Sequence, residues 1–214
     1  MAINEKLEKI YEKNHKEFAA IWASSFQERE PKQWNVFGVV DEEKYANILF
    51  IGKETNGWGH EELEKKDLFL PWLRDVSDGK LRGEIVSKHP QVWYNVGRWA
   101  KRIVQDGTTE ELLLQKGEAL EGIKYIAFTN INKLWGHNAS GKAYRQVEES
   151  LIAKKILRQE IKELAPEVIV LCGIKKTYLD GMVEENTKVI EMPHPSARKS
   201  KKDMLDLLEK QLDE

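Results

Sequence analysis

The sequence predicts an α/β fold, a three-layer α/β/α sandwich around a central, mainly parallel four-stranded sheet. Three observations carry this. Short apolar runs of strand length occur at residues 47–51, 123–128, 168–172 and 188–192, the pattern of strands buried on both faces. Segments of helical periodicity separate them, which implies right-handed crossovers and parallel neighbours. Most of the runs end in Gly or a polar residue: Gly52, Asn130, Gly173 and His194 each follow a strand.

Taken in order, residues 4–26 place Leu7, Ile10, Tyr11, Phe18, Ile21 and Trp22 at mostly three- and four-residue spacing, predicting a long packing helix. Residues 34–40 read as a short strand or extended loop, and residues 47–51 as the first buried strand, closed by Gly52. Residues 61–83 mix charge with Leu68, Phe69, Leu70, Pro71 and Trp72 and read as an irregular excursion, with a turn at Ser77-Asp78-Gly79. After Pro90, a helix with Val92, Trp93, Val96, Trp99, Ala100 and Ile103 inward runs to Gly107, and Thr108 or Thr109 caps another through Leu120. Residues 123–128 form the second strand, ending at Thr129-Asn130-Ile131-Asn132. Residues 142–164 predict one long charged helix stopped by Pro166, and residues 168–172 a third strand closed by Gly173. A short helix from Ile174, a turn at Asp180-Gly181 and a fourth strand at 188–192 lead into Pro193-His194-Pro195-Ser196, with a final helix from about Lys201.

Composition sets the bounds. A chain of 214 residues with 41% hydrophobic and 33% charged residues is expected to form one domain, residues 1–214, with residues 1–30 as an accessory N-terminal helix. The charge pattern leaves no membrane span and no signal-peptide core, so the expected location is cytoplasmic and the expected state monomeric. Cys172 is the single cysteine. It cannot form an internal disulfide or hold an iron–sulfur cluster, and its apolar neighbours mark a small buried hydrophobe. The 34 basic and 36 acidic side chains give a net charge of −2, so attraction to nucleic acid has to be local. Gly52-Lys53-Glu54-Thr55-Asn56-Gly57 lacks the spacing of a P-loop or dinucleotide fingerprint. In parallel sheets ligands collect at the carboxyl ends of the strands, and the candidate cleft therefore lies where Gly52, Asn130 and His194 emerge.

The ordered set of a strand-Gly-Xaa-acid loop, an Asn-terminated strand, a Pro-initiated strand ending in Gly and a final His-Pro-Ser loop resembles the uracil-DNA glycosylase superfamily, over residues 47–200. The resemblance implies a uracil-DNA glycosylase-like fold and a monofunctional DNA glycosylase that flips uracil or a related base and hydrolyses its N-glycosidic bond with no metal or cofactor. It places Glu54 as the residue that orients water, His194 as donor to the leaving base, and Asn130 as the reader of its edge. Phe69, with Trp58 as rival, is the implied stacking ring. Ser196 is implied to contact phosphate, and Arg198, with Lys199 in the same basic cluster, to touch DNA. The first motif departs from most branches: Thr55 stands where they have proline, and Asn56 is an alternative functional amide in the loop that starts at Gly52. The implied partner is DNA, single-stranded or mismatched. The competing readings are a catalytically silent nucleic-acid-binding module and a protein that binds a nucleobase-like small molecule.

Overall fold

The computed structural model describes residues 1–26, 37–53, 69–80, 90–105, 109–114, 116–133 and 141–214. Its centre is a run of five-residue strands, β2 (Ile48–Gly52), β3 (Ile126–Asn130), β4 (Val168–Cys172) and β5 (Lys188–Met192). The first two are buried throughout, as strands covered on both faces must be. β3, β2, β4 and β5 are parallel neighbours, with Gly52 level with Asn130 and Cys172 level with Met192.

A fifth strand corrects the expectation of four. β1 (Gly38–Val39) pairs antiparallel with β3, giving the order β1-β3-β2-β4-β5 among the described residues. Two residues carry no period, so the sequence left this segment open between strand and loop.

Alternate residues of β3 face opposite sides of the sheet, and this sorts the helices into layers. Thr129 points to the side of α1 (Ile3–Phe26), α6 (Lys142–Glu148) and α7 (Leu151–Leu164), where its hydroxyl donates to Glu160. Phe128 points to the other side and meets Trp93 of α3 (Pro90–Val104) edge-on, at 5.1 Å between ring centres. There α2 (Phe69–Ser77), α4 (Thr109–Leu114), α5 (Lys116–Ala119) and the 3-10 turn Leu120–Tyr125 complete the segment leading to β3. The C-terminal helix α8 (Lys201–Asp213) packs against α3 and β5. Among the described residues no helix is long and apolar enough to cross a membrane.

Three elements differ from the sequence reading. Phe69–Ser77 is helical rather than irregular: Leu70, Leu73 and Val76 are buried at helical spacing, and Pro71 sits in the first turn, where no N–H is needed. The helix expected over residues 142–164 is two helices. Ser150 takes an extended conformation and its hydroxyl oxygen accepts from the Ala153 N–H, starting α7 afresh. Ile123 belongs to the 3-10 turn, so β3 begins at Ile126.

Both outer strands are closed by a side-chain amide. Asn4 of α1 donates to the Val39 carbonyl at 2.9 Å and accepts from the Val39 N–H at 2.9 Å. Gln211 of α8 treats Glu191 of β5 in the same way, with both contacts at 2.9 Å.

Ala165 ends α7 in the left-handed region, at φ 42° and ψ 54°. An L-residue pays about 1–2 kcal/mol for this conformation, offset in a glycine variant by the greater freedom of its unfolded chain. Ala165→Gly is expected to raise stability by about 0.5–1 kcal/mol, read from the midpoint of urea unfolding; an unchanged or lower midpoint contradicts the strain.

Candidate functional site

Asn130 and His194 stand on the same edge of the sheet, where the parallel strands end. Asn130 closes β3 and is 4% exposed. Its side chain follows that of Phe128 toward the α3 face, as alternation along the strand requires. Its Oδ1 lies where a side chain on Gly52 would begin: a Cβ there would stand 2.2 Å away. Glycine at the tip of β2 thus makes room for the amide. The turn beyond is held by backbone bonds from Ile131 N–H to the Gly52 carbonyl and from Asn132 N–H to the Lys53 carbonyl, both 2.9 Å.

His194 follows β5 and is exposed. Its Nδ1 lies 2.7 Å from the Ser196 hydroxyl oxygen and accepts the Ser196 backbone N–H at 3.2 Å. A backbone N–H only donates, so this contact favours the tautomer whose proton is on Nε2. The loop is held from below: Asn95 of α3 donates from Nδ2 to the Pro195 carbonyl at 2.7 Å.

Asn130 and His194 are three strand spacings apart, about 14 Å across the backbone. The two strands between them end at Gly52 and at Gly173, whose φ is 75° and whose backbone runs beside His194. Along this edge Gly52 and Gly173 lie between Asn130 on one side and His194 on the other.

Of the other predicted site residues, Ser196 contacts His194, and Arg198 and Lys199 are exposed on the same loop. Phe69 is buried and packs among Phe37, Trp72, Trp93 and Phe128, with ring centres 5.0–6.3 Å away. Among the described residues it is packed as a core ring. Glu54, Thr55, Asn56 and Trp58 lie outside the described residues. Cys172 is buried at the end of β4, and burial pushes its thiol up, so it is inert as a nucleophile. Among the described residues no group of three His, Cys, Asp or Glu side chains is placed to hold a metal ion.

Sequence reasoning missed the groups that support this edge. Lys133, three residues past Asn130, is fully buried, and its Nζ donates to both oxygens of Glu160 at 2.8 and 2.7 Å and lies 2.5 Å from Thr129 Oγ1. Tyr11 donates to the same carboxylate. Burial, then the neighbouring Glu160 charge, holds the Tyr11 phenol well above its usual range, so it stays a neutral donor. Burial draws the Lys133 ammonium downward against the opposing pull of Glu160. Thr129 and Lys133 thereby anchor both ends of the Asn130 turn on the opposite face of the sheet. Asn95 and Arg98 of α3 were missed too. No protein-family model matches the chain, and no curated protein matches it.

Proposed function

We propose that the protein is a DNA glycosylase-like protein that takes uracil or a related base at this sheet edge and hydrolyses its N-glycosidic bond. One observation supports the reading: the buried Asn130 amide and the His194 imidazole stand on one edge of the sheet, with Gly52 and Gly173 between them. The amide of Asn130 can donate to a carbonyl and accept from an imino N–H on one edge of a pyrimidine. In the tautomer that its contact with the Ser196 N–H favours, His194 donates from Nε2, which suits a base oxygen that gains negative charge as the bond breaks. In the step proposed, water oxygen bonds to the sugar C1′ while the C1′–N bond breaks. The bonding pair leaves with the base, Glu54 accepts the water proton, and that proton then neutralises the base through solvent. The resemblance to uracil-DNA glycosylases adds the order of the motifs to this geometry.

The test is incubation of the protein with single-stranded and mismatched duplex oligonucleotides containing uracil, followed by alkaline cleavage at abasic sites. Strand cleavage at the uracil position is the expected result. No abasic product at high enzyme excess overturns the hydrolytic reading. Salt-dependent binding without product would instead favour a silent DNA-binding module, which Thr55 in place of the usual proline and the longer Glu54 side chain already favour as the second reading.

A further inference from the structure

Three buried cations occur among the described residues: Arg98, Lys101 and Lys133. Two of them have carboxylates. Lys133 is clasped by Glu160, and Lys101 reaches Glu118 at 3.5 Å and Glu121 at 3.7 Å. Arg98, one helical turn before Lys101 and 2% exposed, has none among the described residues. Its Nη1 makes one long contact, 3.4 Å, to the neutral Asn95 Oδ1, and its Nε is buried with no partner. The Tyr94 ring, 5.8 Å away, is its remaining electrostatic neighbour. A guanidinium does not escape this position by losing its proton under ordinary conditions, even though burial lowers its pKa. A buried charge left without a counterion is costly, which is why such groups are normally paired.

Arg98 also has a defined place. The amide it touches through Asn95 Oδ1 is the one whose Nδ2 holds the Pro195 carbonyl. It therefore lies one side chain behind the His194–Ser196 turn, on which Arg198 and Lys199 are exposed, with Lys202 shortly beyond. The fork of a guanidinium matches the oxygens of an oxyanion, and the basic residues that follow the loop in sequence suit an anion of high charge density.

We propose that Arg98 is the cationic base of an anion site behind the His194–Ser196 loop, and that its ligand is a phosphoryl group, either in a nucleic-acid backbone or as free phosphate. The ligand supplies the counterion that Arg98 lacks among the described residues. This site does not depend on base excision, since it requires neither uracil nor Glu54.

The experiment compares wild type with Arg98→Met in thermal unfolding at low ionic strength, with inorganic phosphate, a uracil-free single-stranded oligonucleotide, or acetate at matched ionic strength. Wild type is expected to gain about 3–6 °C in Tm at a ligand concentration about tenfold above Kd. The ligand-dependent gain is lost in Arg98→Met, whose ligand-free Tm is equal to or above that of wild type because an unpaired buried charge has been removed. Comparing the two proteins cancels the general stabilisation that phosphate gives through exclusion from protein surfaces. A gain with inorganic phosphate identifies free phosphate as sufficient, and a gain with the oligonucleotide alone identifies the nucleic-acid backbone. Equal gains in wild type and variant, no gain in either, or acetate acting as well as phosphate each overturn the proposal. Should Arg98→Met fail to fold, calorimetric titration of wild type and Arg98→Lys with phosphate decides: absence of saturable binding to wild type, or equal binding to both, refutes it. Phosphate binding without uracil excision would leave the site standing and remove the glycosylase reading, whereas excision with no Arg98-dependent binding would do the reverse.

Discussion

Lys133→Met is expected to destabilise the protein by about 3–5 kcal/mol, the cost of leaving the Glu160 carboxylate buried without its partner. Glu160 is 1% exposed and accepts from Lys133, Tyr11 and Thr129, one donor from α1 and two from the turn that ends β3. Removing the ammonium takes away the only full positive charge in that set, while the two hydroxyls continue to donate. The lysine also lies over the Phe37 and Tyr11 rings, at 5.4 and 5.8 Å from their centres, so lost packing adds to lost charge. The double variant Lys133→Met with Glu160→Leu is expected to recover much of the deficit, because both charges are then gone together. Urea unfolding of the four proteins in the cycle checks this. If the double variant is as unstable as the sum of the singles, the ion pair is not what holds the Asn130 turn.

On the proposed function, His194→Asn is expected to lower uracil excision by a factor on the order of a hundred or more, while His194→Gln retains part of the activity. Asn places a polar atom near the position of Nδ1 and so preserves the link to Ser196, but it offers nothing at Nε2. Gln reaches the Nε2 position with an amide donor. The two variants therefore separate the loop-holding nitrogen from the one that would meet the base. Single-turnover excision rates are the measurement. Equal losses in both variants would count against a donor role for Nε2.

Much of the fold was legible because its strands are short, apolar and sharply ended. β4 and β5 carry the expected bounds, and α8 starts at Lys201 as expected. β3 was misplaced at its start because the 3-10 turn before it buries Ile123 as deeply as a strand would. Apolarity reports burial, and here burial does not separate the two conformations. The place of Asn130 and His194 at one sheet edge was legible from the order of the strands. Their supports were not: Lys133 and Glu160 are 27 residues apart, and nothing local marks them as a pair. Asn95 and Arg98 lie in a stretch of α3, residues 95–101, that is buried on every side. Amphipathic periodicity finds one apolar face, and it has no signal for a polar group enclosed in a helix that lacks an outer face.

The paired amides on β1 and β5 bear on how this protein behaves in company. A sheet edge usually offers its main-chain groups to any other strand, whether from a partner, a second copy or a growing aggregate. At Val39 and Glu191 that offer has been withdrawn, since Asn4 and Gln211 already occupy both the donor and the acceptor. The two guards sit near opposite ends of the chain, in its first and last helices. Docking the first and last helices is thus what covers these groups, and losing either helix would return a donor and an acceptor to the sheet edge.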